Sequence, residues 1–412
     1  MSQIKPFCAY RPKAGLAEKV ASVPYDVINT REARQLAEGN PHSFLHVGRP
    51  EIDLPEGIDE HEDKVYATGV ANLKKFIAEG TLVHDDKPCL YIYQQKMGDH
   101  VQAGLVCLCS VKEYEKDLIK KHEYTRKDKE DDRTRHVTEQ NANAEPVFLT
   151  YRAVPYIDHV VDTVRKDAPD YDIVTPDGIG HTVWTVRDEV MIGELVAFFN
   201  GVPALYIADG HHRTAAAIRY GQARRAATPN ATGDEPFESF MAVVFPHNQL
   251  KIMDYNRVVK DLNGLSPEQF LAKVGEKFDI APAAQPQPEK AASFGMFFQG
   301  KWHRLTAKAG SFPATDPVKS LDVSILQDNL LNPILGIQDP RTDKRIDFVG
   351  GIRGTQELEK RVNEGYAVAF AMFPTSLDQL MAVSDAGQIM PPKSTWFEPK
   401  LRSGLLVRVY EG

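Results

Sequence analysis

The densest chemistry in the chain is the run Ala208-Asp209-Gly210-His211-His212-Arg213-Thr214. It follows the apolar stretch Pro203 to Ala208 and precedes the alanine-rich stretch Thr214 to Arg225. The pattern predicts a strand, a tight turn and a helix N-terminus. Such a terminus offers backbone N–H groups without intrahelical partners and a partial positive charge. For an anion the helix term alone is worth roughly 0.3–1 kcal/mol, and up to about 2 kcal/mol when partly buried. Two imidazoles and a guanidinium sit in the same turn, and each charge-assisted hydrogen bond adds about 1.5–3 kcal/mol. Gly210, lacking a Cβ, lets a bound group approach the backbone. Gly210, His211, His212, Arg213 and Thr214 are therefore the expected phosphate contacts. Asp209 would repel a polyphosphate unless it binds Mg²⁺ or accepts a substrate proton, so it is the expected catalytic and metal-binding carboxylate. The plain alternative is a capping aspartate beside satisfied histidines. Adjacent histidines at a helix start diverge, and no His or Cys follows at i+4, which makes zinc a minor alternative.

A second cluster lies in the highly charged stretch Lys120 to Arg135, with Lys121, His122, Glu123, Thr125 and Arg133, and His136 just beyond. A solvated helix with Lys129 and Arg133 beside acids is the bland alternative. Asp26 in Pro24-Tyr25-Asp26 is a rival carboxylate or a turn residue. Asn141 and Asn143 are candidates for ribose or substrate contacts, or for loop caps. Arg257, after a strand, can clamp a carboxylate or phosphate in bidentate fashion or make a structural ion pair. Lys393, in the proline-bracketed stretch Met390 to Lys400, can reach a substrate anion or sit in a packed loop. Gly350-Gly351-Ile352-Arg353-Gly354 has neither the Gly-x-Gly-x-x-Gly order nor a Lys-Ser/Thr pair, which argues against Rossmann and Walker turns.

These residues need elements to hold them. Cys89 to Gln94 and Ala103 to Val111 read as strands of a hairpin around Met97-Gly98-Asp99. Val147 to Tyr151, Pro203 to Ala208, Ser239 to Phe245 and Gln249 to Met253 read as further strands, and Phe294 to Leu305 as a second hairpin. Lys64 to Glu79, Thr214 to Arg225 and Ser266 to Phe278 read as helices, the last with Ser266 as N-cap and Pro267 at the first helical position. The class is α+β. Ala281 to Ala292 reads as a linker. The expected portions are 1–160, 161–280 and 293–412.

The chain has 412 residues, 42% of them hydrophobic and 26% charged, which excludes a disordered chain, a collagen-like fibre and a coiled coil. Lys plus Arg is 49 and Asp plus Glu is 57, a net charge of −8. Surplus acid argues against nucleic acid as a partner. Cys8, Cys89, Cys107 and Cys109 are too few for a disulfide scaffold, and Cys107 and Cys109 fit a buried strand. Met1 to Pro6 lacks the apolar run of a signal peptide. The apolar stretch Leu195 to Ala208 is interrupted by Asn200, Gly201 and Pro203 and falls short of the ~20 residues of a membrane span. A cytoplasmic location with no membrane partner is expected, and a homo-oligomer is compatible with the sequence.

Asp209-Gly210-His211-His212-Arg213 after an apolar strand resembles the phosphate-binding turn of the ParB/sulfiredoxin-like superfamily, above all its free-serine kinase branch. The resemblance implies that the His and Arg residues hold nucleotide phosphates, with the Asp at the reaction centre and a Glu upstream as base. Glu123 is the candidate base, with His122 beside it, and Lys121 and Arg133 are further phosphate contacts. A wider resemblance runs through Ser22 to Ile28, Asn40 to His46, Lys121 to Thr125, the turn itself, Tyr255 to Val258 and Met390 to Lys400. These motifs, in this order, are similar to a large bacterial domain-of-unknown-function family, "ten-fifteen". The implied fold is a ParB/sulfiredoxin-like nucleotide-binding core elaborated by N-terminal and C-terminal mixed α/β portions. The implied activity is transfer of a phosphoryl group from ATP or ADP, with Mg²⁺, to a small hydroxylated substrate such as free L-serine. Arg257, Asn143 and Lys393 are then the substrate contacts. One alternative is a ParB-like switch that binds and hydrolyses nucleotide without a metabolite substrate, and another is a non-kinase hydrolase that uses the histidines with a metal.

Overall fold

The computed structural model describes residues 2–410, and its contacts divide the chain into two compact units. One comprises Met1–Leu250 with Pro399–Gly412, the other Lys251–Glu398. The expected boundary at 160/161 falls inside the first unit, and the expected portion 161–280 runs across both.

The first unit is built on a nine-stranded mixed sheet. Its strands run in the order Ile119–Lys120, Leu205–Asp209, Val147–Tyr151, Ser239–Pro246, His100–Ser110, Leu90–Met97, Gly180–Val186 and Tyr171–Val174, with Ile4–Lys5 added against His100–Ser110. Two pairings are parallel, Leu205–Asp209 with Ile119–Lys120 and Ser239–Pro246 with Val147–Tyr151. The central strands are apolar at successive positions, as both faces are covered. Ser239–Pro246 and Val147–Tyr151 are buried along their whole length. Cys107 and Cys109 share one face of their strand and are buried in the main core, as expected. The helices Pro155–Val164 and Glu189–Phe199 contribute Ile157, Val161, Leu195 and Phe199 to that core.

The C-terminal residues are stitched into this unit. Arg408–Val409 pairs with Ala142–Asn143, and bridges join Tyr10 to Val407 and Ser22 to Ser403. That return places Lys400 in the unit that contains the turn.

Most of the charged stretch becomes the helix Lys127–Gln140, which packs along His211–Ala227. Arg219 of the second helix meets Glu130 at 3.1 Å and Asp131 at 2.7 Å on the first. The face is thus shared between two helices, where a freely solvated one was the plain expectation. Gly221 sits on the buried side of His211–Ala227. Alanine is normally worth about 1 kcal/mol over glycine in a helix interior. Here, however, a Cβ would stand 2.5 Å from the Phe237 carbonyl oxygen and 3.1 Å from Val111 Cγ2. Overpacking of this kind costs about 1–3 kcal/mol. Gly221→Ala is therefore expected to lower the urea midpoint, and an unchanged or raised midpoint would refute the close approach.

The second unit holds a six-stranded antiparallel sheet ordered Phe278–Pro282, Lys301–Ala307, Ser293–Phe298, Val368–Ala371, Tyr255–Val259, Ile346–Gly350. The stretch expected as a linker joins strands of this one sheet, so it separates no domains. A short ribbon pairs Lys251–Met253 with Trp396–Glu398. Asp322 is buried here, and burial pushes its carboxyl up to about 7 against the hydrogen bonds it accepts from Ala292 and Ser293. The unfolded value is about 3.9, so the folded chain holds this proton more tightly and loses stability as pH rises from about 4 to about 7. Asp322→Asn keeps an acceptor oxygen for the Ala292 N–H, now at 2.6 Å. It should flatten that slope and raise the melting temperature at pH 8 relative to pH 5.

Among the described residues, no helix is long and apolar enough to cross a membrane.

Candidate functional site

The turn forms where the apolar strand Leu205–Asp209 stops. Its pairing with Val147–Tyr151 shifts register between Ile207 and Asp209, an irregularity that re-aims the last side chain. Gly210 follows in the left-handed region, φ 85° and ψ 36°, at the N-cap of His211–Ala227. A Cβ at Gly210 would lie 2.9 Å from Arg213 Nε, so both backbone angle and space require glycine. Thr214 closes the first turn, with its N–H and hydroxyl both donating to the Gly210 carbonyl, at 2.9 and 3.1 Å. The N–H groups ahead of it have no intrahelical partners.

Around this turn the structure gathers charge from several segments. Asp209 Oδ2 lies 3.2 Å from Lys400 Nζ and 3.6 Å from Arg213 Nη2. Burial alone would raise its pKa, but the Lys400 and Arg213 charges hold it well below the usual carboxylate range. Arg213 is buried, its Nη1 donates to the Pro146 carbonyl at 2.7 Å, and its Nη2 lies 4.0 Å from Asp26 Oδ2. Arg213 Nε is buried without a hydrogen-bond partner. Arg213 also lines a cavity of about 40 Å³ together with Arg133, His136, Asn143 and Glu145. Burial pushes the Glu145 carboxyl up, opposed by the Arg213 and Arg133 charges. Arg133 lies 2.7 Å from Asp132 and stacks 3.9 Å over the ring of buried Tyr25.

The imidazoles behave differently from the sequence expectation. Burial pushes His211 well below its ordinary value and holds His122 down at about 4, while His212 is lowered for the same reason. All three rings are thus neutral near pH 7, and the positive charge of the site comes from Arg213, Lys400 and Lys121. His122 and His211 meet edge to face, centroids 4.5 Å apart. Ligand atoms of His122, Glu123 and His211 lie within 4.8 Å of one another. His212 is half-buried, and its Nε2 accepts from the Arg126 N–H at 3.0 Å.

Asp209, Gly210, His211, His212, Arg213, Thr214, Lys121, His122, Glu123, Arg133 and Asn143 all belong to the first unit. Lys121 reaches toward the Tyr114 ring, 5.6 Å from its centroid, and its charge acts on His211. Asn143 is buried and holds structure, since its Oδ1 accepts from Met241 N at 3.2 Å and from the Tyr410 hydroxyl at 2.9 Å. Arg257 and Lys393 belong to the second unit. There Arg257 is buried, donates to the Tyr255 and Lys393 carbonyls and lies over the Phe348 ring, while Lys393 sits over Tyr255. The sequence marks Lys400 only as the basic partner of Lys393 in the proline-bracketed stretch and assigns no role to Glu145. Lys400 reaches the turn through the long-range return of the chain, whereas Glu145 lies just ahead of Val147–Tyr151, the strand paired with Leu205–Asp209.

Fold and site together define a mixed α/β protein whose charged turn opens a long helix beside a large mixed sheet. The chain belongs to the family described as "Protein of unknown function (DUF1015)", which matches residues 4–324. No curated protein matches the chain. Among solved structures it is similar to a free serine kinase in complex with AMP, at 13% identity, covering 73% of this chain and 91% of that one, with a TM-score of 0.36. It is similar to a conserved hypothetical protein from Pyrococcus furiosus at 12% identity, 74% and 95% coverage and a TM-score of 0.35. A third is C-terminally truncated SbnI from Staphylococcus aureus, at 11% identity, 74% and 87% coverage and a TM-score of 0.38.

Proposed function

We propose that this chain is a small-molecule kinase with a ParB/sulfiredoxin-like nucleotide site. It would transfer the terminal phosphoryl group of ATP or ADP to a hydroxylated metabolite, free L-serine first. One observation carries the reading: a buried guanidinium, Arg213, stands behind a left-handed glycine at a helix start with its Nε unpaired. Phosphoryl transfer is mostly positioning and charge neutralisation. Arg213, Lys400 and the first-turn N–H groups supply donors and positive charge. The acceptor oxygen attacks the terminal phosphorus, the bond to the bridging oxygen breaks, and the hydroxyl proton goes to a carboxylate. Glu123 is assigned that proton, with His122 beside it. Asp209 stays ionised and is too weak a base for the task, so its role is to hold the two cations in place.

The nucleotide brings Mg²⁺ as part of the substrate. Lys400 and Arg213 already pair with Asp209 Oδ2, so any Mg²⁺ that Asp209 helps to hold would share the carboxylate with these two cations. Its chemistry is that of an ion-paired acceptor.

The test is incubation of the full-length protein with L-serine, Mg²⁺ and each of ATP, ADP, CTP and GTP, with O-phosphoserine read by mass spectrometry. Product with ATP or ADP supports the reading. Nucleotide hydrolysis without a phosphorylated metabolite moves the site to the nucleotide-switch class, and no product from any nucleotide overturns serine as acceptor.

A further inference from the structure

We propose that His122, Glu123 and His211 form a resident binding site for a divalent first-row transition metal. The ligand atoms of the three side chains lie within 4.8 Å of one another. Ligands held about 2.0–2.2 Å from one metal stand about 3.4 Å apart in tetrahedral geometry. Closure therefore needs a shift of about an ångström, and half-buried Glu123 is the side chain with room to make it.

The independent observation is His211. It is 7% exposed, and its Nε2 is buried with no hydrogen-bond partner. A buried polar atom left in this state costs about 1–3 kcal/mol, and a metal bond would remove that cost. The His122 ring is hydrogen-bonded to the backbone of Ile207, the kind of anchor that fixes the tautomer and orientation of a metal-binding imidazole. Two imidazoles and one carboxylate select Zn²⁺, Mn²⁺, Fe²⁺ or Co²⁺ over Mg²⁺ and Ca²⁺, which take oxygen ligands. Three protein ligands leave a coordination position open for water or a substrate oxygen. The sequence does not show this pairing, because there His211 and His212 stand side by side. The fold instead sets His211 against His122, far away in the chain.

The test of this inference uses no nucleotide, so its outcome is read separately from the kinase test, although the two readings give Glu123 different roles. Were the metal bound, Glu123 would serve as its ligand, and the acceptor proton would need another base.

The probe is Co²⁺, titrated into chelator-stripped full-length protein and followed by its visible absorption. The expected result is saturation at one equivalent, displacement by Zn²⁺, and at least ~30-fold weaker binding in His211→Ala and in Glu123→Gln, with His212→Ala unchanged. Circular dichroism establishes that the variants are folded. If they are not, X-ray absorption on the zinc-loaded wild type decides, two imidazoles in the coordination shell supporting the site. Absence of saturable Co²⁺ uptake, uptake unaffected in folded His211→Ala, or a shell without imidazole overturns it.

Discussion

Under the proposed kinase reading, Asp209→Asn is expected to lower phosphoryl transfer by ~100-fold or more while leaving the protein folded. The carboxylate does not act as a base, since Lys400 and Arg213 keep it ionised far below neutral pH. What it does is fix two cations, one at 3.2 Å and one at 3.6 Å, at the mouth of a helix. An amide attracts neither. A displacement of about 1 Å in groups that position a phosphoryl donor can cost ~100-fold in rate. The stability effect is smaller: the side chain is 30% exposed, and a charge-assisted hydrogen bond of this kind is worth about 2 kcal/mol. Its pH dependence has a definite sign. A carboxyl with a depressed folded pKa contributes its stability above the unfolded value of about 3.9 and loses it as pH falls below that. Melting curves of wild type and Asp209→Asn should therefore differ at pH 7 and converge in acid. Unchanged turnover in the variant would remove Asp209 from the site.

The parts of the site that depend on local chain chemistry were legible in the sequence. An apolar strand, a glycine and an alanine-rich helix are enough to place a turn at 209–211, and the observed left-handed Gly210 follows from the same logic. The hairpins Leu90–Met97/His100–Ser110 and Ser293–Phe298/Lys301–Ala307 also followed from alternation and turn residues. What depends on tertiary burial was not legible. A histidine in a sequence carries no sign of its protonation state, yet the fold buries His211 and His122 and leaves both neutral. Lys400 lies far from Asp209 along the chain and reaches it only because the segment from Pro399 onward returns to the first unit. Nothing in the local pattern around Trp396-Phe397-Glu398 signals that return. The linker reading failed for a related reason. Proline- and alanine-rich residues 281–292 look like a spacer, but they connect two strands of one sheet, and the Pro286 carbonyl packs against Gly295 of that sheet.

The neutrality of the histidines narrows what could hold the proposed nucleotide. With the rings uncharged, the turn offers neutral donors and acceptors, and the electrostatic grip falls on Arg213 above all. Arg213→Met should then weaken ATP binding by ~10- to 100-fold, the loss of one or two charge-assisted hydrogen bonds. Stability should fall by about 1–3 kcal/mol, because the Pro146 carbonyl loses its donor and Asp209 and Asp26 lose their common cation, although Lys400 stays beside Asp209. Arg213→Lys separates charge from geometry. The ammonium keeps the charge, but it lacks the planar fork that lets Nη1 hold the Pro146 carbonyl while Nη2 faces the carboxylates. It should recover part of the stability and little of the affinity. Adding Asp26→Asn to Arg213→Met removes one of the stranded carboxylates, and the pair should be more stable than the single variant, a coupling that a double-mutant cycle reads directly. Calorimetric titration with ATP at a temperature where every variant is folded supplies the affinities. Wild-type affinity in Arg213→Met would show that the phosphates are gripped elsewhere, whatever the stability change.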